Sequence, residues 1–212
     1  MSKQQRDAID AALRAEPFGI NQSTDGHRKT FDAFAIRPYP ADVAAADVTL
    51  GGVRAIELTV AGHPADPAIL YFHGGGYVAG SARTGAHLAA ELARRTGGRA
   101  LSVDYRLAPE HPYPAAVEDG LAAYGGLLES GASPSRVLVA GDSAGGGLAV
   151  ATLLAAREQG LPQPVVPDAR LPGPDARLAA GHAPVRGHHG RRRDLRRLPT
   201  PARKRRSLLT AG

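Results

Sequence analysis

Between residues 68 and 160 the chain alternates short apolar runs with longer stretches of helical character, and this alternation leaves few folds open. AILYFHG (68–74), RALSVDYRL (99–107) and RVLVAGD (136–142) read as strands. Residues 85–96, 114–130 and 144–159 read as the helices that follow them. Gly97-Gly98 stops the first helix, Pro114 opens the second and Gly131 stops it, and Gly160 with Pro162 ends the third. Strand and helix in regular succession imply an α/β fold with a parallel sheet. AILYFHG is apolar up to its histidine, as a strand buried on both faces should be. Upstream, ADVTLGG (45–51) and VRAIELTVAG (53–62) read as two strands joined by a Gly-Gly turn, which brings the expected strands to five. Residues 3–16 read as a short helix with Ile9, Ala12 and Leu13 on one face. Residues 17–44, punctuated by proline, are expected to be irregular.

The pattern stops near residue 165. The formal charge of +6 is an average over two unlike parts of the 212 residues. Residues 1–164 carry 14 Lys and Arg against 17 Asp and Glu; residues 165–212 carry 12 Lys and Arg against 3 Asp. The last aromatic residue is Tyr124. Stretches such as RGHHGRRRDLRR hold too little apolar surface to offset the entropy of ordering, so 165–212 is expected to be a disordered basic tail. A shift of reading frame near codons 163–168 of a GC-rich gene would account for the change; the nucleotide sequence across codons 160–170 tests it. The chain has no cysteine, which excludes disulfides and thiolate metal sites. The polar start, MSKQQRDAIDAALRAEP, has no apolar signal region, and no apolar run approaches the ~20 residues that span a bilayer. The expectation is a soluble, cytoplasmic protein with no membrane partner.

Two glycine-rich stretches carry the chemistry. GDSAGG (141–146) lies between an apolar strand and a helix, and Gly141-Asp142-Ser143-Ala144-Gly145 has the spacing of a nucleophile elbow. A sharp turn that lifts Ser143 above the sheet needs small residues two positions before and two after it. The competing explanation is a serine that merely caps the following helix. The second stretch is His73-Gly74-Gly75-Gly76, at the end of the first strand of the alternation. Acyl transfer needs donors aimed at the oxygen that becomes negative, and backbone N–H groups without side chains serve well. Gly74 and Gly75 are the expected donors, with the Ala144 N–H as the third. His73 is expected to brace the loop by a hydrogen bond rather than act as a base, with Gly76 supporting it. A phosphate-binding loop is the alternative, but the Lys-Ser/Thr of a P-loop and the spaced glycines of a dinucleotide site are both missing. Asp142 adjoins the nucleophile in a supporting place, facing the wrong way for the acid of a triad. DYRLAPEHPYPAA (104–116), with Glu110 and His111 between prolines, reads as a rigid connector. Glu118 and Asp119 read as solvated or structural.

HGGGY, DYRLAPEHPYPAA and GDSAGGGLA, in this order and spacing, resemble the hormone-sensitive-lipase-like branch of the α/β-hydrolase superfamily, over roughly residues 30–164. The resemblance implies a carboxylesterase acting on short, acetyl-type esters through an acyl-enzyme, with a small-molecule ester as partner. It implies Ser143 as nucleophile, Gly74, Gly75 and Ala144 as oxyanion hole, and no cofactor or metal. It further implies that residues 1–44 form part of a cap over the acyl pocket, with residues 45–164 as the N-terminal part of the hydrolase domain. The family's sheet has eight strands where five are expected here, and its triad Asp and His follow late strands. After residue 164 the sequence offers Asp168, Asp175 and Asp194, and His182, His188 and His189, none in that context. Little or no turnover by this chain is therefore expected. Two other readings remain: a non-catalytic relative that binds a small ligand, and non-specific polyanion binding by the basic tail, which lacks aromatics to stack on bases. Specific nucleic-acid recognition is not expected, and the sequence gives no oligomeric state.

Overall fold

In a computed structural model, residues 2–15 and 23–164 are described. The hairpin comes first among the strands. β1 (Val43–Leu50) and β2 (Val53–Val60) pair antiparallel, with Gly51 and Gly52 in the turn at φ +54° and +85°. Such positive angles suit the tight turns whose twist matches the paired strands. β3 (Ala68–Phe72), α3 (Ala82–Thr96), β4 (Arg99–Val103), α4 (Ala115–Glu129), β5 (Val137–Gly141) and α5 (Ala144–Glu158) then alternate as the sequence predicts. The sheet order is β1-β2-β4-β3-β5.

The sheet differs from the expectation in one respect. β3 pairs parallel with both β4 and β5, but β2 lies antiparallel to β4, so the sheet is mixed. The hairpin therefore extends the parallel trio on the side away from β5. Several boundaries also move by one to four residues; β3 ends at Phe72 and β4 at Val103, so His73 and Asp104 to Leu107 belong to the loops beyond the strand ends.

β3 shows why the fold has two layers of helix. All five of its residues are buried, and their side chains alternate between the faces of the sheet. Leu70 and Phe72 join Leu101, Val103, Tyr124, Leu127 and Leu148 in one core, under α4 and α5. Ile69 and Tyr71 join Ile56, Leu58 and Val60 in the other, under α3. α3 meets the sheet through Ala82, Ala86, Ala89, Ala90 and Ala93, a stripe at helical spacing that lets the helix approach closely. Each fully buried Leu, Ile or Phe contributes about 1.5–3 kcal/mol relative to exposure, so β3 is the main anchor of the loop that follows it.

Two helices precede the sheet. α1 (Lys3–Ala15) carries exposed i,i+4 pairs, Lys3–Asp7 and Arg14–Asp10. The expected face of Ile9, Ala12 and Leu13 lies outside the described side chains. α2 (Thr24–Ala35) corrects the expectation that 17–44 is irregular. Ser23 caps it by accepting from the Gly26 N–H at 3.2 Å. No residue of α2 is buried, so its sequence lacks the apolar stripe that would have announced it. Residues 16–22 and 165–212, with the expected tail and its candidate Asp and His residues, lie outside the described residues. Among the described residues, no helix is long and apolar enough to cross a membrane.

Candidate active site

Ser143 stands where β5 turns into α5, at φ 49° and ψ −119°. An L-residue at positive φ away from the left-handed helical well costs of order 1–3 kcal/mol and persists only where the surroundings enforce it. Here they do so through glycine. A Cβ at Gly141 would overlap the Gly145 backbone, and one at Gly145 would overlap Phe72 O and His73 O. Backbone thus packs on backbone on both sides of the serine, and the two glycines of the G-x-S-x-G frame have a steric origin. Ser143 is exposed at the tip, and its Oγ makes no capping hydrogen bond to α5. The helix-cap explanation of this serine is thereby removed.

The glycine loop follows β3 on the neighbouring strand. Gly75 and Gly76 both take positive φ, +118° and +63°, and Tyr77 follows at +64°. Val78 and Ala79 N–H groups both donate to Gly75 O, which closes the turn. The Asp142 carboxylate holds the loop's first residue: Oδ1 accepts from the Gly74 N–H at 2.9 Å and from the Tyr71 hydroxyl at 2.8 Å. This corrects the expectation for Gly74. Its N–H is buried and already engaged, so it has no donor left for a carbonyl oxygen. The N–H groups of Gly75, Gly76 and Ala144 have no partner among the described residues. Gly75 is half-buried and Gly76 exposed. Burial, then the bond to Asp142, pushes the Tyr71 phenol well above its ordinary range, so it serves as a donor.

His73 is buried, and its ring stacks on Tyr105 with centroids 4.2 Å apart. With Nδ1 protonated it donates to Gly74 O at 2.7 Å. Burial lowers its pKa and keeps the ring neutral. Gly80 at φ +95° passes so close to the His73 ring that no side chain fits there. The Tyr105 hydroxyl donates to His73 O at 2.7 Å, so the connector braces the same loop from the other side.

The connector, residues 104–116, is more than a spacer. Asp104 accepts from the Ala82 N–H at 3.2 Å and from Arg54 at 2.8 Å, fixing the start of α3. Buried Asp119 accepts from the Arg106 backbone N–H at 2.7 Å and pairs with its guanidinium, as does Glu118 at 3.0 Å. The structural reading of Asp119 is the one the geometry supports. Arg28 of α2 was not singled out from the sequence. Its guanidinium donates to Val78 O at 2.8 Å, to Ala108 O at 3.0 Å and to both oxygens of Glu110, at 2.6 and 2.9 Å. It joins glycine loop, connector and α2 at one point. A lone arginine in a polar segment gives no sequence signal for this, because its partners lie 50 to 82 residues away.

No histidine among the described residues hydrogen-bonds Ser143, and no cluster of three or more His, Cys, Asp or Glu could hold a metal there. The arrangement is an exposed, strained hydroxyl beside three unpaired N–H groups, one of them at a helix N-terminus. It can receive a carbonyl group, with its oxygen on the N–H groups and its carbon above Ser143.

Comparison with known proteins agrees with the geometry. A family model described as alpha/beta hydrolase fold matches residues 69–191. An acetyl-hydrolase of Streptomyces hygroscopicus is 53% identical over 96 residues, 45% of this chain and 32% of that protein. An esterase of Acinetobacter venetianus is 35% identical over 152 residues, 71% of this chain and 50% of that protein. Among solved structures, an esterase/lipase from an uncultured bacterium superposes with a TM-score of 0.71 at 42% identity, covering 77% of this chain and 56% of that one. An esterase from the bacterial hormone-sensitive lipase family gives the same TM-score of 0.71 at 40% identity, over 77% and 56%. The chain spans about a third to a half of the length of these curated relatives.

Proposed function

The chain belongs to the α/β-hydrolase family, and from that premise we propose that it carries the nucleophile half of a serine carboxylesterase for short, acetyl-type acyl esters. One observation carries the reading: Ser143 sits at positive φ, exposed, with its hydroxyl left out of helix capping. A serine whose job was structural would relax to negative φ and cap α5. Relatives named acetyl-hydrolase and esterase support the substrate class.

In the proposed reaction Ser143 Oγ bonds to the carbonyl carbon and its proton passes to a base. The carbonyl oxygen takes the negative charge and is held by the N–H groups of Gly75, Gly76 and Ala144. The carbon–oxygen bond to the alcohol then breaks, the alcohol leaves with a proton, and water releases the acid from the acyl-serine. A hydroxyl is a weak nucleophile until a base takes its proton. No such base touches Ser143 among the described residues. Low turnover of p-nitrophenyl acetate and butyrate by this chain is the expected result, together with slow Ser143-dependent labelling by a fluorophosphonate, in which Oγ bonds to phosphorus, its proton passes to water and fluoride leaves. Robust turnover abolished by Ser143→Ala would mean that residues 165–212, or a partner chain, supply a working base. Neither labelling nor turnover at Ser143 would instead favour a relative that binds esters without cleaving them.

A further inference from the structure

A cavity of about 350 Å3 opens beside the glycine loop. Its walls are Tyr77 from the loop, Ala108, Tyr113 and Pro114 from the connector, Val117 from α4 and Ala151 from α5. The volume sits near the lower end of small-molecule pockets, and as in most of them the lining is mainly apolar. Two lining side chains other than the tyrosines are polar, Arg106 and His111. The Arg106 charge is already paired with Asp119 and Glu118, so the cavity presents no unpaired guanidinium to an occupant.

Its position relative to the nucleophile is set by α5. Gly147 and Ala151 are spaced by four residues and share one face of the helix, and Ser143, its N-cap, precedes Gly147 by one turn. Gly147 has no side chain, and the Tyr77 hydroxyl takes the room: it lies 3.2 Å from where a Cβ of residue 147 would stand. Tyr77 is fixed there by its positive φ and by the Ala108 N–H, which donates to Tyr77 O at 2.9 Å. From Ser143 outward the face therefore runs from open serine, past the tyrosine hydroxyl, to the cavity over Ala151. Two helical turns, about 12 Å, separate its ends.

We infer that this cavity receives an unbranched aliphatic chain belonging to the alcohol part of the ester. The inference rests on the serine-esterase reading above and gives that reading a substrate shape: a small acyl group at Ser143 and a chain that passes Tyr77 and ends against Ala151. A methyl group on the carbonyl cannot reach Ala151; a chain of several carbons does. Ala151 is the residue whose small size keeps the far end of the route open, and Gly147 is the one that lets Tyr77 lie against α5.

The chain has no tryptophan, so a Tyr113→Trp substitution at the exposed rim gives a single reporter. In the full chain carrying Ser143→Ala as well, primary alcohols from propanol to octanol are titrated and the tryptophan emission read. Affinity should rise about fourfold per added methylene, equivalent to ~0.8 kcal/mol for each one buried, until the cavity is full. Ala151→Phe should lower the affinity for hexanol by about fifteenfold, the equivalent of losing two methylenes. Ala151→Leu, a smaller intrusion, should do so in part, and unfolding curves of both variants show whether α5 still packs. Affinity independent of chain length, or unchanged in both folded Ala151 variants, would overturn the assignment. Length-dependent binding without fluorophosphonate labelling of Ser143 would keep the cavity and defeat the ester reading; labelling without length-dependent binding would do the reverse.

Discussion

Two serines stand at the head of 15-residue helices that begin with alanine, and they could hardly be used more differently. Ser81 precedes α3 in extended conformation, at φ −163°. Its Oγ accepts from the Thr84 N–H at 3.4 Å, and the Thr84 hydroxyl accepts from the Ser81 N–H at 2.9 Å. The pair forms a capping box and satisfies two donors of the helix terminus. Ser143 precedes α5 at φ 49°, caps nothing and is exposed. The first serine spends its hydroxyl on the helix; the second keeps it free, at a conformational cost that the glycines around it impose. A hydroxyl withheld from stability in this way is available for chemistry, and the contrast lies within one molecule and one sheet.

The largest effect should come from the element that forces the contrast. Gly145→Val would drive a side chain into Phe72 O and His73 O, backbone atoms of β3 and of the loop after it that cannot move aside. Loss of ~4 kcal/mol or more is expected, as for the severest single substitutions, measured as a fall in the urea midpoint or as failure to refold. Near-normal stability would mean that the turn after β5 relaxes easily and that Ser143 is not held under strain.

Next comes the link between the turn and the glycine loop. Asp142→Ala leaves the Gly74 N–H and the Tyr71 hydroxyl without their acceptor in a largely buried place. A cost of ~2–3 kcal/mol is expected, the range for stranding donors that bonded a charged group. Asp142→Asn keeps one acceptor oxygen and should lose less. If alanine and asparagine prove equally mild in urea unfolding, the loop is held by Tyr105 and Arg28 without help from Asp142.

The serines themselves give the most direct comparison. Ser81→Ala should cost ~1 kcal/mol, the usual value of a lost cap. Ser143→Ala should change stability by less than ~0.5 kcal/mol, because alanine bears the same strain and the lost hydroxyl caps nothing, while abolishing fluorophosphonate labelling. Ser143→Gly should raise stability by ~1 kcal/mol through relief of the positive φ. A destabilising Ser143→Ala of the same size as Ser81→Ala would assign both hydroxyls to the helix ends and remove the basis for calling Ser143 a nucleophile.

Much of this was readable in the sequence because it is local. The frame Gly141-x-Ser143-x-Gly145 states its own steric requirement, and AILYF states its burial. The helices of the alternation were announced by glycine and proline punctuation. What was not legible depends on distant partners. α2 buries nothing and owes its place to Ser23 and to what Arg28 reaches. The donor role expected of Gly74 failed because a carboxylate 68 residues away claims its N–H. The antiparallel seating of β2 against β4 likewise has no signature within either strand.

The smallest expected effect concerns how the two halves of the site are held. The turn at Ser143 is enforced by backbone packing, which has no charge to titrate. The glycine loop is held in part by Arg28, whose ion-pair partner is Glu110. The side-chain bond from Arg28 first, then a backbone N–H and the nearby charge, lower the Glu110 carboxyl from 4.5 to about 2. Because the folded value is the lower one, the tether's contribution is full above about pH 4.5 and is lost as pH falls toward 2. Glu110 is half-exposed, so the increment should be small and should shrink further in high salt. Urea midpoints of the parent chain and of Glu110→Gln, taken at about pH 6 and about pH 3, measure it: the parent should lose more on acidification than the variant. Hydrogen exchange at the same two pH values, after correction for the intrinsic rate, should show the added opening at Val78 and Ala79 and none at Gly145 and Gly146. Equal acid sensitivity in parent and variant would show that the Arg28–Glu110 pair does not hold the loop, which then rests on Asp142, Tyr105 and His73.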